Sequence, residues 1–107
     1  MCSAGIPQGG LAWVMEGDVE SLVAGGTASC QEAVRTLDGA TPIGLLTFDC
    51  AVRRRELGPA GVRREIEEIG RVFPGIPFGG FYSYGEIARY RGASGMHHLT
   101  MVCLAFA

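Results

Sequence analysis

Pro77-Phe78-Gly79-Gly80-Phe81-Tyr82-Ser83-Tyr84-Gly85-Glu86-Ile87 reads as an aromatic strand that runs into a glycine turn and delivers one acidic residue at its end. Phe81, Tyr82 and Tyr84 alternate off a pleated ribbon, and the preceding glycine pair leaves the backbone open to close approach. Gly85 admits positive φ, which suits a turn. Glu86 is then the first acidic group past the strand, where α/β proteins tend to keep polar site residues. The plain alternative is a core strand followed by a surface loop.

Working outward, Val62, Ile66, Ile69 and Phe73 recur at helical spacing, with Arg63, Arg64, Glu67, Glu68 and Arg71 on the opposite side, so 60–73 is predicted as an amphipathic helix. Arg64 and Glu68 are spaced to pair across one turn. Gly58-Pro59 punctuates the chain before it. Ile43-Gly44-Leu45-Leu46-Thr47-Phe48 is an apolar run of strand length and the predicted central strand. Between the two, Cys50 is followed by Arg53, Arg54 and Arg55. For Arg54 and Arg55 the plain reading is a solvated face.

Val19–Leu37 has helical periodicity interrupted by Gly25-Gly26, which predicts two short helices or one bent helix. Asp18 would cap the first piece and Thr27 the second. Leu11-Ala12-Trp13-Val14-Met15 reads as a further short strand, Gly85–His98 as a mobile loop, and Leu99–Phe106 as a closing apolar strand. The predicted fold is an α/β two-layer sandwich. One mixed sheet of about four strands carries the helices mainly on one face, with residues 1–10 a tail and 11–107 the domain. Alternatively, the last two strands run antiparallel.

Composition sets further bounds. The chain has 107 residues, 19% charged and 48% hydrophobic, with net charge −2, which fits one globular domain and gives no electrostatic case for nucleic acid. No apolar run has the ~18 residues of a membrane span, and no basic leader precedes an apolar stretch, so a cytoplasmic protein is expected. No two of Cys2, Cys30, Cys50 and Cys103 have zinc or redox spacing, so free thiols and no metal or cofactor are expected.

Gly80-Phe81-Tyr82-Ser83-Tyr84-Gly85-Glu86-Ile87, with Cys50-Ala51-Val52-Arg53 upstream and His97 and Thr100 downstream, closely resembles the C-terminal domain of the FIST family over roughly residues 9 to 107. The resemblance implies an intracellular sensory module of signalling proteins, with amino acids as suspected ligands and haem for some relatives. Such domains usually carry strands before Leu11, so a shortened or fragmentary member is expected. It would have uncovered sheet and would pair as a homodimer or with a partner signalling domain.

Cys50, Arg53, Tyr82, Tyr84, Glu86 and His97 are therefore the candidate ligand-binding residues. A free amino acid needs a guanidinium for its carboxylate and a carboxylate for its ammonium, roles open to Arg53 and Glu86 between tyrosine walls. Three alternatives stand beside this reading. Arg53 and Glu86 could simply pair with each other. Haem could use His97 or His98. Catalysis could use Cys50 as nucleophile, His97 as base and Glu86 to orient the imidazole.

Overall fold

The computed structural model describes residues 5–14, 16–90, 93–97 and 99–107, with 89, 90 and 93–97 in backbone only. The elements run α1 (Val19–Arg35), β1 (Gly44–Cys50), α2 (Ala51–Val72), β2 (Phe78–Ser83), β3 (Glu86–Tyr90), β4 (Ala93–His97) and β5 (Met101–Phe106). β1 is central, as its apolar run predicts. It pairs in parallel with β2 on one side and antiparallel with β5 on the other. The parallel pair requires a crossover, and α2 supplies it.

The architecture is α/β with a mixed sheet of three strands, and a two-stranded antiparallel sheet of β3 and β4 beside it. That hairpin replaces the loop predicted over 85–98. Small residues there suggested mobility, but strand pairing also tolerates them where side-chain packing is slight. Leu11–Val14 is exposed and in no strand among the described residues, so the predicted first strand is absent there; Met15 lies outside them. A short apolar segment becomes a strand only where a sheet edge receives it.

α1 is one continuous helix, not two. Asp18 caps it through a capping box. Its carboxylate accepts from the Ser21 backbone N–H at 2.8 Å, and the Ser21 hydroxyl accepts from the Asp18 N–H at 2.9 Å. Thr27 sits buried inside the helix and caps nothing. Gly26 is explained by its neighbours, since a Cβ there would overlap the Glu65 carboxylate of α2 and come within 3.3 Å of Arg53 Nη2. The glycine serves close helix packing, and that packing repays its low helix propensity.

The buried stripe of α2 is Arg53, Leu57, Gly61, Glu65 and Ile69. This differs from the predicted Val62, Ile66, Ile69 and Phe73. Ile66 is exposed, and the helix turns two charged residues inward against α1. Arg64 reaches across to Glu20 of α1, while Glu68 pairs with Arg71, so the predicted Arg64–Glu68 pair does not form. Both observed pairs lie at the surface, where such contacts contribute at most about 1 kcal/mol.

The core joins Cys30 of α1, Leu45 of β1 and Ile69 of α2, with Phe73, Phe78, Met101 and Cys103 packed against it. A hydrogen bond between the Cys30 and Cys103 thiols, together with burial, pushes Cys30 up, and the same bond holds Cys103 down. The other sheet face carries Phe48 and Phe81 in edge contact at 5.1 Å, and Phe81, Leu104 and Phe106 remain substantially exposed.

Candidate functional site

The carboxyl ends of β1 and β2 meet the start of α2, and their register sets what gathers there. Asp49 lies opposite Tyr82 and Cys50 opposite Ser83, while α2 begins at the next residue and places Arg53 one turn in. Arg53, at the start of α2, thereby meets Asp49 near the end of β1. Arg53 Nη1 donates to Asp49 Oδ1 at 2.5 Å. Nη2 donates to the Leu22 carbonyl oxygen of α1 at 2.7 Å and to Glu65 Oε1. The guanidinium is thus clamped between two carboxylates and a helix carbonyl, with Arg53 only 2% exposed.

Burial pushes the Asp49 carboxyl up, and the Arg53 hydrogen bond and charge offset only part of that; the Glu86 charge adds to it. Glu65 is raised in the same way, by burial first, with Arg53 pulling it back. Burial opposes the Arg53 cation, but hydrogen bonds and charge from Glu65 and Asp49 outweigh it and raise its pKa. Burial is the largest influence on all three groups, and Asp49 and Glu65 share the one guanidinium of Arg53.

Glu86, also 2% exposed, opens β3 directly after the turn. Its Oε1 accepts from the Ser83 hydroxyl at 2.6 Å, whereas its buried Oε2 has no hydrogen-bond partner among the described residues. A buried carboxylate oxygen without a donor is costly, which makes it a place where a ligand donor gains most. Cys50 is 0% exposed, and its backbone N–H donates to the Thr100 carbonyl oxygen at 3.1 Å. The Thr100 hydroxyl is likewise buried without a partner among the described residues.

Tyr82 is partly exposed, and burial followed by the Asp49 and Glu65 charges raises its phenol. The Arg54 guanidinium carbon lies 5.1 Å from the centroid of its ring. Tyr84 is 88% exposed and lines a neighbouring cleft. In backbone terms His97 pairs with Glu86 across the hairpin; its side chain, and the whole of His98, lie outside the described residues.

The fold therefore brings Cys50, Arg53, Tyr82 and Glu86 to one end of the sheet. Arg53 and Glu86 do not pair with each other; Arg53 pairs with Asp49 and Glu65, and Glu86 bonds to Ser83. Sequence reasoning missed Asp49 and Glu65. No spacing along the chain signals them, because Asp49 belongs to β1 and Glu65 follows Arg53 only past the break at Gly58 in α2. Among the described residues no cluster of His, Cys, Asp and Glu is arranged to hold a metal, and no helix is long and apolar enough to cross a membrane.

A small α/β domain with polar groups collected at the carboxyl ends of parallel strands belongs to a broad class of ligand-binding modules. The family model of the FIST C domain matches residues 1–89, and the chain belongs to the FIST C family, whose members are sensory signal-transduction modules for small ligands. The match spans α1, β1, α2, β2 and most of β3. No curated protein and no solved structure matches the chain.

Proposed function

We propose that the chain senses a small metabolite carrying an ammonium group, an amino acid or a close relative, and binds it without catalysis. The carrying observation is Glu86 Oε2, a buried carboxylate oxygen that no donor among the described residues meets. An ammonium supplies the missing donor together with a compensating charge. Tyr82 offers a ring and a hydroxyl beside it, and the sequestered Cys50 suits a structural wall better than a nucleophile. Arg53 acts as a positioning residue, because its guanidinium is already held by Asp49, Glu65 and Leu22. A zwitterion's carboxylate is then met outside this buried cluster.

Thermal-shift and calorimetric titration against amino acids and simple amines test the reading. Binding to the folded state raises the melting temperature. Glu86→Gln keeps the shape but removes the charge, and should weaken binding roughly tenfold or more. If no amine or amino acid shifts the wild-type transition, or if Glu86→Gln binds as well as wild type, the reading fails.

Self-association is proposed alongside it, supported by exposed Phe81, Leu104 and Phe106 on the helix-free sheet face. Light scattering should show a dimer that Phe81→Ser dissociates. A strict monomer at high concentration would count against it.

A further inference from the structure

Beside the end of β2, a cleft of about 580 Å³ opens between Tyr82, Tyr84 and the first half of α2. Arg54 and Arg55 line it, and no acidic residue does. Arg35, Arg53, Arg64 and Arg71 each hold a carboxylate, whereas Arg54, Arg55 and, away from this cleft, Arg63 pair with none among the described residues. The Arg54 guanidinium is oriented by its stacking on Tyr82. Stacking restricts it while leaving its in-plane N–H donors available.

The backbone adds to the positive field. α2 breaks at Gly58 (φ 65°, ψ 175°) and resumes at Pro59, and both residues line the same cleft. Glycine has no side chain to cap the resumed helix, and proline has no N–H, so the next free amides sit at an uncapped helix start. The exposed Tyr84 ring completes one wall. The volume falls within the usual range for a small-molecule site, roughly 300–1,000 Å³.

We propose that this cleft binds a small planar molecule bearing a dianionic head group, either a phosphate monoester or a pair of carboxylates. Arg54 and Arg55 take the head group and the tyrosine rings take the plane. The inference stands apart from the Glu86 reading, although Tyr82 borders both places. Two guanidinium forks match the geometry of such oxygens, and a planar group stacks on tyrosine with little loss of freedom.

The test is calorimetric titration of the whole chain with phenyl phosphate, phthalate and inorganic phosphate, at low and at moderate salt. Phenyl phosphate or phthalate should bind, whichever binds tighter naming the head group, and affinity should fall as salt rises. The Arg54→Gln/Arg55→Gln double variant should lose roughly tenfold or more. Tyr84→Ala should weaken the ring-bearing probes while leaving inorganic phosphate unchanged, and Glu86→Gln should leave all three unchanged. Circular dichroism checks that each variant is folded, and Arg55→Gln alone serves if the double variant is not. No heat from either ring-bearing probe at millimolar concentration, or unaltered affinity in the arginine variants, would overturn the proposal. So would preferential capture of a long polyanion over the small probes.

Discussion

Replacing Arg53 with alanine should destabilise the fold by about 3–5 kcal/mol at neutral pH, and by clearly less in acid. The substitution leaves Asp49 and Glu65 buried, adjacent and without their shared cation. It also leaves the Leu22 carbonyl oxygen without its Arg53 donor. Both carboxyls already have folded-state pKa values above their ordinary ones, because burial outweighs the pull of Arg53. Their contribution to stability is therefore full below the unfolded pKa and is lost as pH rises through the folded one. Without the guanidinium that loss grows and extends to higher pH. Urea unfolding at pH 7.5 and near pH 4.5 measures the difference, and a triple variant that adds Asp49→Asn and Glu65→Gln should recover much of it. An equal loss at both pH values, or a loss below about 1 kcal/mol, would show that the clamp contributes little. Loss of ligand binding in Arg53→Ala would accordingly report on the clamp, and not on a contact with the ligand.

This residue also marks where sequence reading stopped. β1 was legible because its run is apolar and of strand length, and α2 because its periodicity is helical. The Asp18 cap was legible because capping is local, decided by groups three residues apart. What lay across space was not. The inward turn of α2 depends on Gly26 of α1 making room for Glu65, and no pattern within α2 announces that. A hydrophobicity count prefers Val62 and Ile66 inward; the packing prefers an acid that finds a cation. The hairpin was misread for a related reason. Its strands gain their structure from each other through the Glu86-to-His97 and Tyr90-to-Ala93 pairings, with little apolar alternation to advertise them.

The candidate site was half legible. Glu86 was recognisable as the acid after an aromatic strand, and it proves buried with one oxygen unmet among the described residues. Arg53 was recognisable as a special arginine, but its partners are internal acids. Reading it as an open pole assumed that a buried guanidinium waits for a ligand. The structure gives it two carboxylates first, and among the described residues the neighbours read as plain surface, Arg54 and Arg55, are left without a carboxylate.

The second large effect is expected at Gly80, and its neighbour supplies the control. A Cβ on Gly80 would lie 2.5 Å from Thr47 Oγ1 and 2.6 Å from the Thr47 carbonyl carbon, on top of that carbonyl's oxygen. The clash is with backbone of the central strand, so no side-chain rotation relieves it. Relief requires β2 to separate from β1 along the pairing that runs from Leu45 and Phe78 to Cys50 and Ser83. Gly80→Ala should therefore cost about 3 kcal/mol or more. Against the ~5–15 kcal/mol typical of a whole domain, that loss is enough to leave a small one partly unfolded. It should also displace Tyr82 and Ser83, and with them the hydrogen bond that holds Glu86. Gly79 points to the other sheet face, where a Cβ meets nothing within 4 Å. Gly79→Ala should be neutral or stabilising by up to about 1 kcal/mol, because alanine loses less backbone freedom in a strand. Urea melts of the two variants, run side by side, decide the matter: if Gly80→Ala folds as firmly as Gly79→Ala, the close approach between β1 and β2 that positions the site is not as described.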